Sequence, residues 1–323
     1  MKAVLCKSLE GGALSVEEIA EPVAGPGEAV VAVKAAALNF FDTLIVRGRY
    51  QAKPALPFSP AAEIAGIVES VGPGVVHVGP GDRVAAYIGW GGAREKVAVA
   101  ADKLIPIPAG VNDEAASGVC VTYGTAMHGL KDRGRLKAGE TLAVLGASGG
   151  AGLAAVEIGK RLGARVIAVA SSPEKLAVAV AHGADATINY SDTDLKQALR
   201  DVTDGRGADV VYDCVGGPHA EPALRSTAWQ GRYLVIGFAG GEIPKIPLNL
   251  VLLKGIDVVG VFWGEFVARE PERHRANVAQ VLDWIAEGSL APHIHGVYPF
   301  TRFADALGAI ERREATGKVV LVP

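Results

Sequence analysis

Residues 146–152 read GASGGAG, set between the apolar run TLAVL and the helix-like stretch GLAAVEIGKRLG. Strand, glycine turn and helix start in that order can cradle a diphosphate. Missing Cβ atoms let backbone approach the phosphate oxygens, and the first helical N–H groups and the helix dipole face the anion. Gly149 and Gly152 hold the second and third positions of the G-x-G-x-x-G pattern, while Ala147 stands at the first, with Gly146 before it supplying turn freedom. The contacting residues are then Gly146, Ser148, Gly149, Gly150, Ala151 and Gly152. The segment also fits G-x-S-x-G around Ser148, the nucleophile turn of hydrolases. A glycine turn with no ligand is a third reading. The run of strand–helix units that follows favours the phosphate reading over both.

The next strand, RVIAVA, ends at Ser171 and Ser172, with Lys175 close behind. A dinucleotide site for NAD wants Asp or Glu here to accept from the ribose 2′-OH. Two hydroxyls and an ammonium without an acid suit a 2′-phosphate, so NADPH is expected rather than NADH. Lys175 equally suits a solvated first helical turn and Ser172 an N-cap; the missing acid weighs more than the lysine. No metal is expected. Cys6, Cys120 and Cys214 are far apart, the seven histidines lack zinc-ligand spacing, and His293 and His295 form a lone H-x-H.

These groups need elements to hold them. From residue 141 short apolar strands alternate with helical stretches: TLAVL, RVIAVA, ATINY and ADVVYD each precede a helix, and GRYLVIGFAG and IDVVGVFW supply a fifth and a sixth strand. Six strands so ordered predict a Rossmann-type, doubly wound parallel sheet with ligands at the carboxyl ends of the strands. Residues 1 to about 115 carry β-branched runs broken by glycine and proline, which predicts a compact, mostly β domain. The amphipathic stretch ANVAQVLDWIAEG and the strand-like KVVLVP are expected to return to it and to leave the active site between the two domains. The expected division is 1–120 with 264–323, and 121–263.

The chain has 323 residues, half of them hydrophobic, and a formal net charge of −3. That charge, without a basic run, argues against nucleic acid or an anionic membrane as partner. With no signal-like N-terminus and no apolar run of bilayer length, a cytoplasmic protein is expected.

Several stretches together resemble the zinc-independent quinone oxidoreductases, the zeta-crystallin-like branch of the medium-chain dehydrogenase/reductase superfamily. They are ALNFFDTLIVRGRY (37–50), AAEIAGIVESVGPGV (61–75), GDRVAAY (81–87), VTYGTAMHGL (121–130), the glycine turn with its helix, GRGADVVYDCVGG (205–217), GRYLVIGFAGG (231–241) and ATGKVVLVP (315–323). The resemblance implies an α/β protein with a GroES-like, mostly β catalytic domain, a Rossmann NADPH domain, and a homodimer joined through the edge strand IDVVGVFW. Zinc-binding relatives would have Cys where Asn39 stands and Gly-His-Glu at Ala61-Ala62-Glu63, so only Asp42 and Glu63 of those signatures remain. Asn39, Tyr50 and Thr125 would position substrate and nicotinamide. Lys175 and Tyr190 would meet the 2′-phosphate, and Val215, Gly237, Phe238, Phe262, Trp263 and Gly264 would lie near the cofactor. The implied reaction is hydride transfer from NADPH to a quinone or another conjugated carbonyl. Enones, 2-alkenals and acrylyl-CoA are alternative acceptors, and a cofactor-bound structural or RNA-binding role is an alternative of another class.

Overall fold

In the computed structural model, which describes residues 1–10 and 13–323, the chain divides into two units, Met1–Val121 with Pro271–Pro323, and Thr122–Glu270. The first unit opens with an antiparallel pair, β1 (Lys2–Cys6) and β2 (Leu14–Glu18). β3 (Glu28–Leu38) is its longest strand; β4 pairs with it along one edge, and β6 and β15 share the other. Burial on both faces suits its small residues, and Ala35, Ala36 and Ala37 are fully buried. The chain continues through α1 (Phe40–Ile45), β4 (Glu63–Val71), β5 (Arg83–Tyr87), β6 (Lys96–Ala100), β7 (Ile105–Pro106) and α2 (Asp113–Ser117).

The second unit begins with α3 (Thr122–Met127), which runs into a π-helical turn at His128–Arg133. Strand–helix units follow: β8 (Thr141–Leu145), α4 (Gly150–Arg161), β9 (Arg165–Ala170), α5 (Pro173–Ala181), β10 (Ala186–Asn189), α6 (Leu195–Asp201), β11 (Ala208–Asp213) and α7 (Ala220–Arg225). β12 (Thr227–Val235), α8 (Leu248–Lys254), β13 (Asp257–Gly260) and α9 (Trp263–Arg269) complete it. The sheet order is β10-β9-β8-β11-β12-β13, every pair parallel, so the order reverses between β8 and β11. Crevices at such a reversal are where doubly wound sheets take ligands. The apolar run IDVVGVFW yields only the four-residue β13, because Trp263 opens a helix. That helix belongs here: Phe266 stacks on His128 with ring centroids 3.8 Å apart. The second unit accordingly runs through this helix to Glu270.

The chain closes with α10 (Pro271–Ala286), β14 (Ile294–Pro299), α11 (Phe303–Glu311) and β15 (Lys318–Val322). β14 and β15 complete a seven-stranded sheet of order β14-β15-β3-β4-β5-β7, with β6 on β3. Its register sets Val320 opposite Ala37, Ala37 opposite Glu63, and Glu63 opposite Tyr87. Directly opposed side chains share a face, and side chains two apart on a strand share it too. Lys318, Asn39, Glu63 and Tyr87 are thereby gathered on one face at one end of the sheet, from four distant parts of the sequence.

Candidate functional site

The expected cofactor residues all follow carboxyl ends of the parallel strands: 146–152 after β8, 171–175 after β9, Tyr190 after β10, Val215 after β11, Gly237 and Phe238 after β12, and Phe262–Gly264 after β13. The glycine turn explains its own sequence. Gly146 has φ +74°, and its N–H and that of Ala147 both donate to the Val169 carbonyl, at 2.9 and 3.2 Å. A Cβ on Gly152 would lie 2.0 Å from the Gly146 oxygen, so only glycine lets α4 start against its strand. A Cβ on Gly149 would meet nothing closer than 3.5 Å, so that side of the turn is open. Gly149 is the N-cap of α4, whose first N–H groups lack intrahelical acceptors.

At the end of β9, Lys175 Nζ lies 3.3 Å from Ser171 Oγ. Ser172 caps α5 by accepting from the Lys175 N–H, as the N-cap reading expects. Ser191, missed in the sequence, donates to the Ser171 carbonyl at 2.9 Å and fixes this corner. Tyr190 is half-buried, with its ring 4.2 Å from that of His219. Asp213 shapes the loop that carries Val215: its Oδ1 accepts from the Val215 and Gly216 N–H groups at 2.7 and 2.9 Å, and the Tyr233 hydroxyl donates to Oδ2. Phe238 and Phe262 are exposed, whereas Trp263 is buried beside Gly124. Thr125 is buried on α3, and that helix is tied to α4 by the Tyr123 hydroxyl donating to buried Glu157.

In the first unit Asn39 stands at the N-cap of α1, but its carboxamide is engaged across the sheet. Nδ2 donates to Glu63 Oε1 at 2.9 Å, and Oδ1 accepts from Lys318 Nζ at 2.7 Å. Lys318 also bonds Glu63 Oε1 at 2.8 Å, and Glu63 Oε2 accepts from the Val121 N–H at 2.8 Å. Asp42 is fully buried and accepts from the N–H groups of Asn39 (2.8 Å) and Ala61 (3.0 Å). Burial pushes its carboxyl up to about 7 despite those bonds. Ala61 holds φ +66°, the left-handed conformation that favours glycine. Tyr50 is half-buried and stacked on Phe41 at 5.3 Å; burial, and then the Asp42 charge, raise its phenol. Tyr87 was not singled out in the sequence. Burial, with the charges of Tyr50, Asp42 and Glu63, pushes it up to about 12, so both phenols are donors at neutral pH.

A zinc ion finds no fitting donors in this cluster. Asn39 offers a carboxamide oxygen already bonded to an ammonium, and burial, followed by the Glu63 charge, holds the Cys120 thiol well above its ordinary value. Among the described residues, no three His, Cys, Asp or Glu side chains gather to hold a metal. Among them, too, no helix is long and apolar enough to cross a membrane.

Comparison with known proteins agrees with this architecture. Residues 25–109 match the family described as alcohol dehydrogenase GroES-like domain, and residues 150–287 the family described as zinc-binding dehydrogenase. A GroES-like domain joined to a Rossmann-type parallel sheet defines an oxidoreductase of the medium-chain dehydrogenase/reductase superfamily. Within it the chain belongs to the quinone oxidoreductase-like family. It is 36% identical to quinone oxidoreductase-like protein 2 of Rattus norvegicus over 321 residues, 99% of this chain and 91% of that protein. It is also 36% identical to a quinone oxidoreductase of Pseudomonas aeruginosa, over 94% of this chain and 93% of that one. The crystal structure of Escherichia coli quinone oxidoreductase complexed with NADPH superposes with a TM-score of 0.92 at 28% identity, covering 100% of each chain.

Proposed function

We propose that the chain is an NADPH-dependent reductase that passes a hydride to a quinone or a related conjugated carbonyl without a metal ion. The observation that carries this reading is the Asn39–Glu63–Lys318 network, a buried hydrogen-bonded carboxamide at the position where the zinc-binding relatives would have a cysteine ligand. Such a site works by positioning and by hydrogen bonds to developing negative charge. Bound NADPH supplies the hydride from its nicotinamide ring. The glycine turn takes the diphosphate, and Ser171, Ser172, Lys175 and Tyr190 take the 2′-phosphate. Val215, Gly237, Phe238, Phe262, Trp263, Gly264 and Thr125 shape the nicotinamide end. Asn39 and the Tyr50 phenol donate to the acceptor's carbonyl oxygen, and the proton comes from water or a nearby hydroxyl.

Steady-state oxidation of NADPH with a quinone, an enone and an acrylyl-CoA side by side tests the reading. Fastest turnover is expected with the quinone. Binding of NADPH with turnover of none of the three would refute a reductase.

A homodimer joined along β13 belongs to the same reading. β13 is the sheet's edge strand, with Val258 47% exposed, and nearby α8 presents Leu248 and Leu252, each 79% exposed. A second copy would satisfy that edge and cover that apolar face. The cysteines are all free, as a reducing cytoplasm keeps them.

A further inference from the structure

We propose that Lys318 is a positioning residue for the reaction: it locks the Asn39 carboxamide so that one amide N–H remains to address the substrate's carbonyl oxygen. The inference rests on Asn39 acting as read above. Lys318 is 3% exposed, and its ammonium has three acceptors: Asn39 Oδ1 at 2.7 Å, Glu63 Oε1 at 2.8 Å and the Leu38 carbonyl at 3.3 Å. An ammonium only donates and a carboxylate only accepts. The amide oxygen must therefore face Lys318 and the amide nitrogen Glu63; turning the group over would set N–H against ammonium and oxygen against carboxylate. The orientation is enforced from both sides by buried charge, and Val121 holds the second Glu63 oxygen in place. Of the two amide N–H bonds, one goes to Glu63. The other is strengthened as a donor because the ammonium draws density from the amide oxygen. The lysine stem needs room to reach this point. A Cβ on Gly118 would sit 3.0 Å from both Cγ and Cε of Lys318, so glycine there leaves the stem its path.

The test is a cycle of variants of the full-length enzyme, read as kcat with a quinone, KM for the quinone, and Kd for NADPH. Asn39→Ala is expected to lower kcat about 10²-fold, the scale of one lost oxyanion donor, with the NADPH Kd within about twofold. Lys318→Met combined with Glu63→Gln removes both buried charges together, so neither is left unpaired. It should lower kcat comparably, and adding Asn39→Ala should cost nothing more. Losses that multiply across the cycle overturn the inference. Unchanged kcat in Asn39→Ala refutes instead the reading of Asn39 itself. Should the paired variant fail to fold, Gly118→Ala displaces the lysine stem by a few tenths of an ångström while keeping every charge. It is expected to lower kcat several-fold in the native background and not at all in Asn39→Ala. An equal effect in both backgrounds, including none, overturns the inference.

Discussion

Two glycines three residues apart separate the tightness of the turn from the diphosphate role proposed for it. In Gly152→Ala the new methyl would meet only backbone: the Gly146 oxygen at 2.0 Å, the Gly146 carbonyl carbon at 2.6 Å and Ala147 Cα at 2.9 Å. No side chain can swing away, so the turn or the helix must retreat by about 1 Å or more to reach ordinary contact. Overpacking costs about 1–3 kcal/mol, and a clash with backbone on every side belongs at the top of that range. A loss of about 3 kcal/mol lowers the melting temperature of a 323-residue chain that unfolds as one unit by roughly 4–5 °C. Gly149→Ala differs in each respect. Its methyl meets nothing nearer than 3.5 Å, and at φ −75° alanine fits without strain. Stability should change by under about 1 kcal/mol. Its methyl nevertheless occupies the open side proposed for the diphosphate, so NADPH affinity should fall at least tenfold, about 1.4 kcal/mol. Thermal melts and fluorescence titration with NADPH measure both. A Gly149→Ala protein that binds NADPH as tightly as the native chain would refute the diphosphate site. Gly152→Ala melting within about 2 °C of the native chain would refute the packing argument.

Lys175→Ala should raise KM for NADPH by roughly 10–100-fold, the worth of a charge-assisted hydrogen bond, and leave KM for NADH unchanged; equal effects on both cofactors would remove Lys175 from the 2′-phosphate site. Asp42 gives a pH dependence with a definite sign. Its folded pKa of about 7 lies above its ordinary value of 3.8, so the folded chain keeps a proton that the unfolded chain releases. Its contribution is fully present below pH 4 and is lost as pH rises through 7, a fall of about 4 kcal/mol. Urea unfolding at pH 4.5, 6 and 7.5 should show that slope in the native chain and not in Asp42→Asn; identical slopes would contradict it. Leu252→Asp should shift sedimentation from dimer to monomer, whereas an unchanged sedimentation coefficient would place any dimer contact elsewhere.

The parallel sheet is legible in the sequence because each strand is a short apolar run followed by a helix with its own start signal, such as Ser172 before Pro173 or Asp194 before α6. Local signals of this kind survive without tertiary information. IDVVGVFW does supply the sixth, edge strand, but only over Asp257–Gly260, because apolar composition does not distinguish the end of a strand from a buried helix start. The Val261 N–H still bonds the Val235 carbonyl at 3.0 Å, but the chain then leaves the sheet and Trp263 packs from a helix.

The site divides in the same way. The glycine turn and the Ser171–Lys175 corner are readable because their chemistry lies within a few residues of chain. Asn39 and Lys318 are 279 residues apart, and nothing in either local sequence announces the other. GKVVLVP reads as a strand, and only the register of β15 on β3 turns its first lysine into a partner for Asn39. Ala61 shows how such long-range contacts override local preference. An alanine held at φ +66° costs about 1–2 kcal/mol relative to an unstrained backbone. There its N–H reaches the buried Asp42 carboxyl group at 3.0 Å, and Asp42 in turn holds the backbone N–H of Asn39. A position where glycine would be free of strain is thus fixed by the same buried Asp42 side chain that holds the backbone of Asn39. Substitutions that look like isolated departures along the chain are coupled in space, and their chemistry has to be argued as one network.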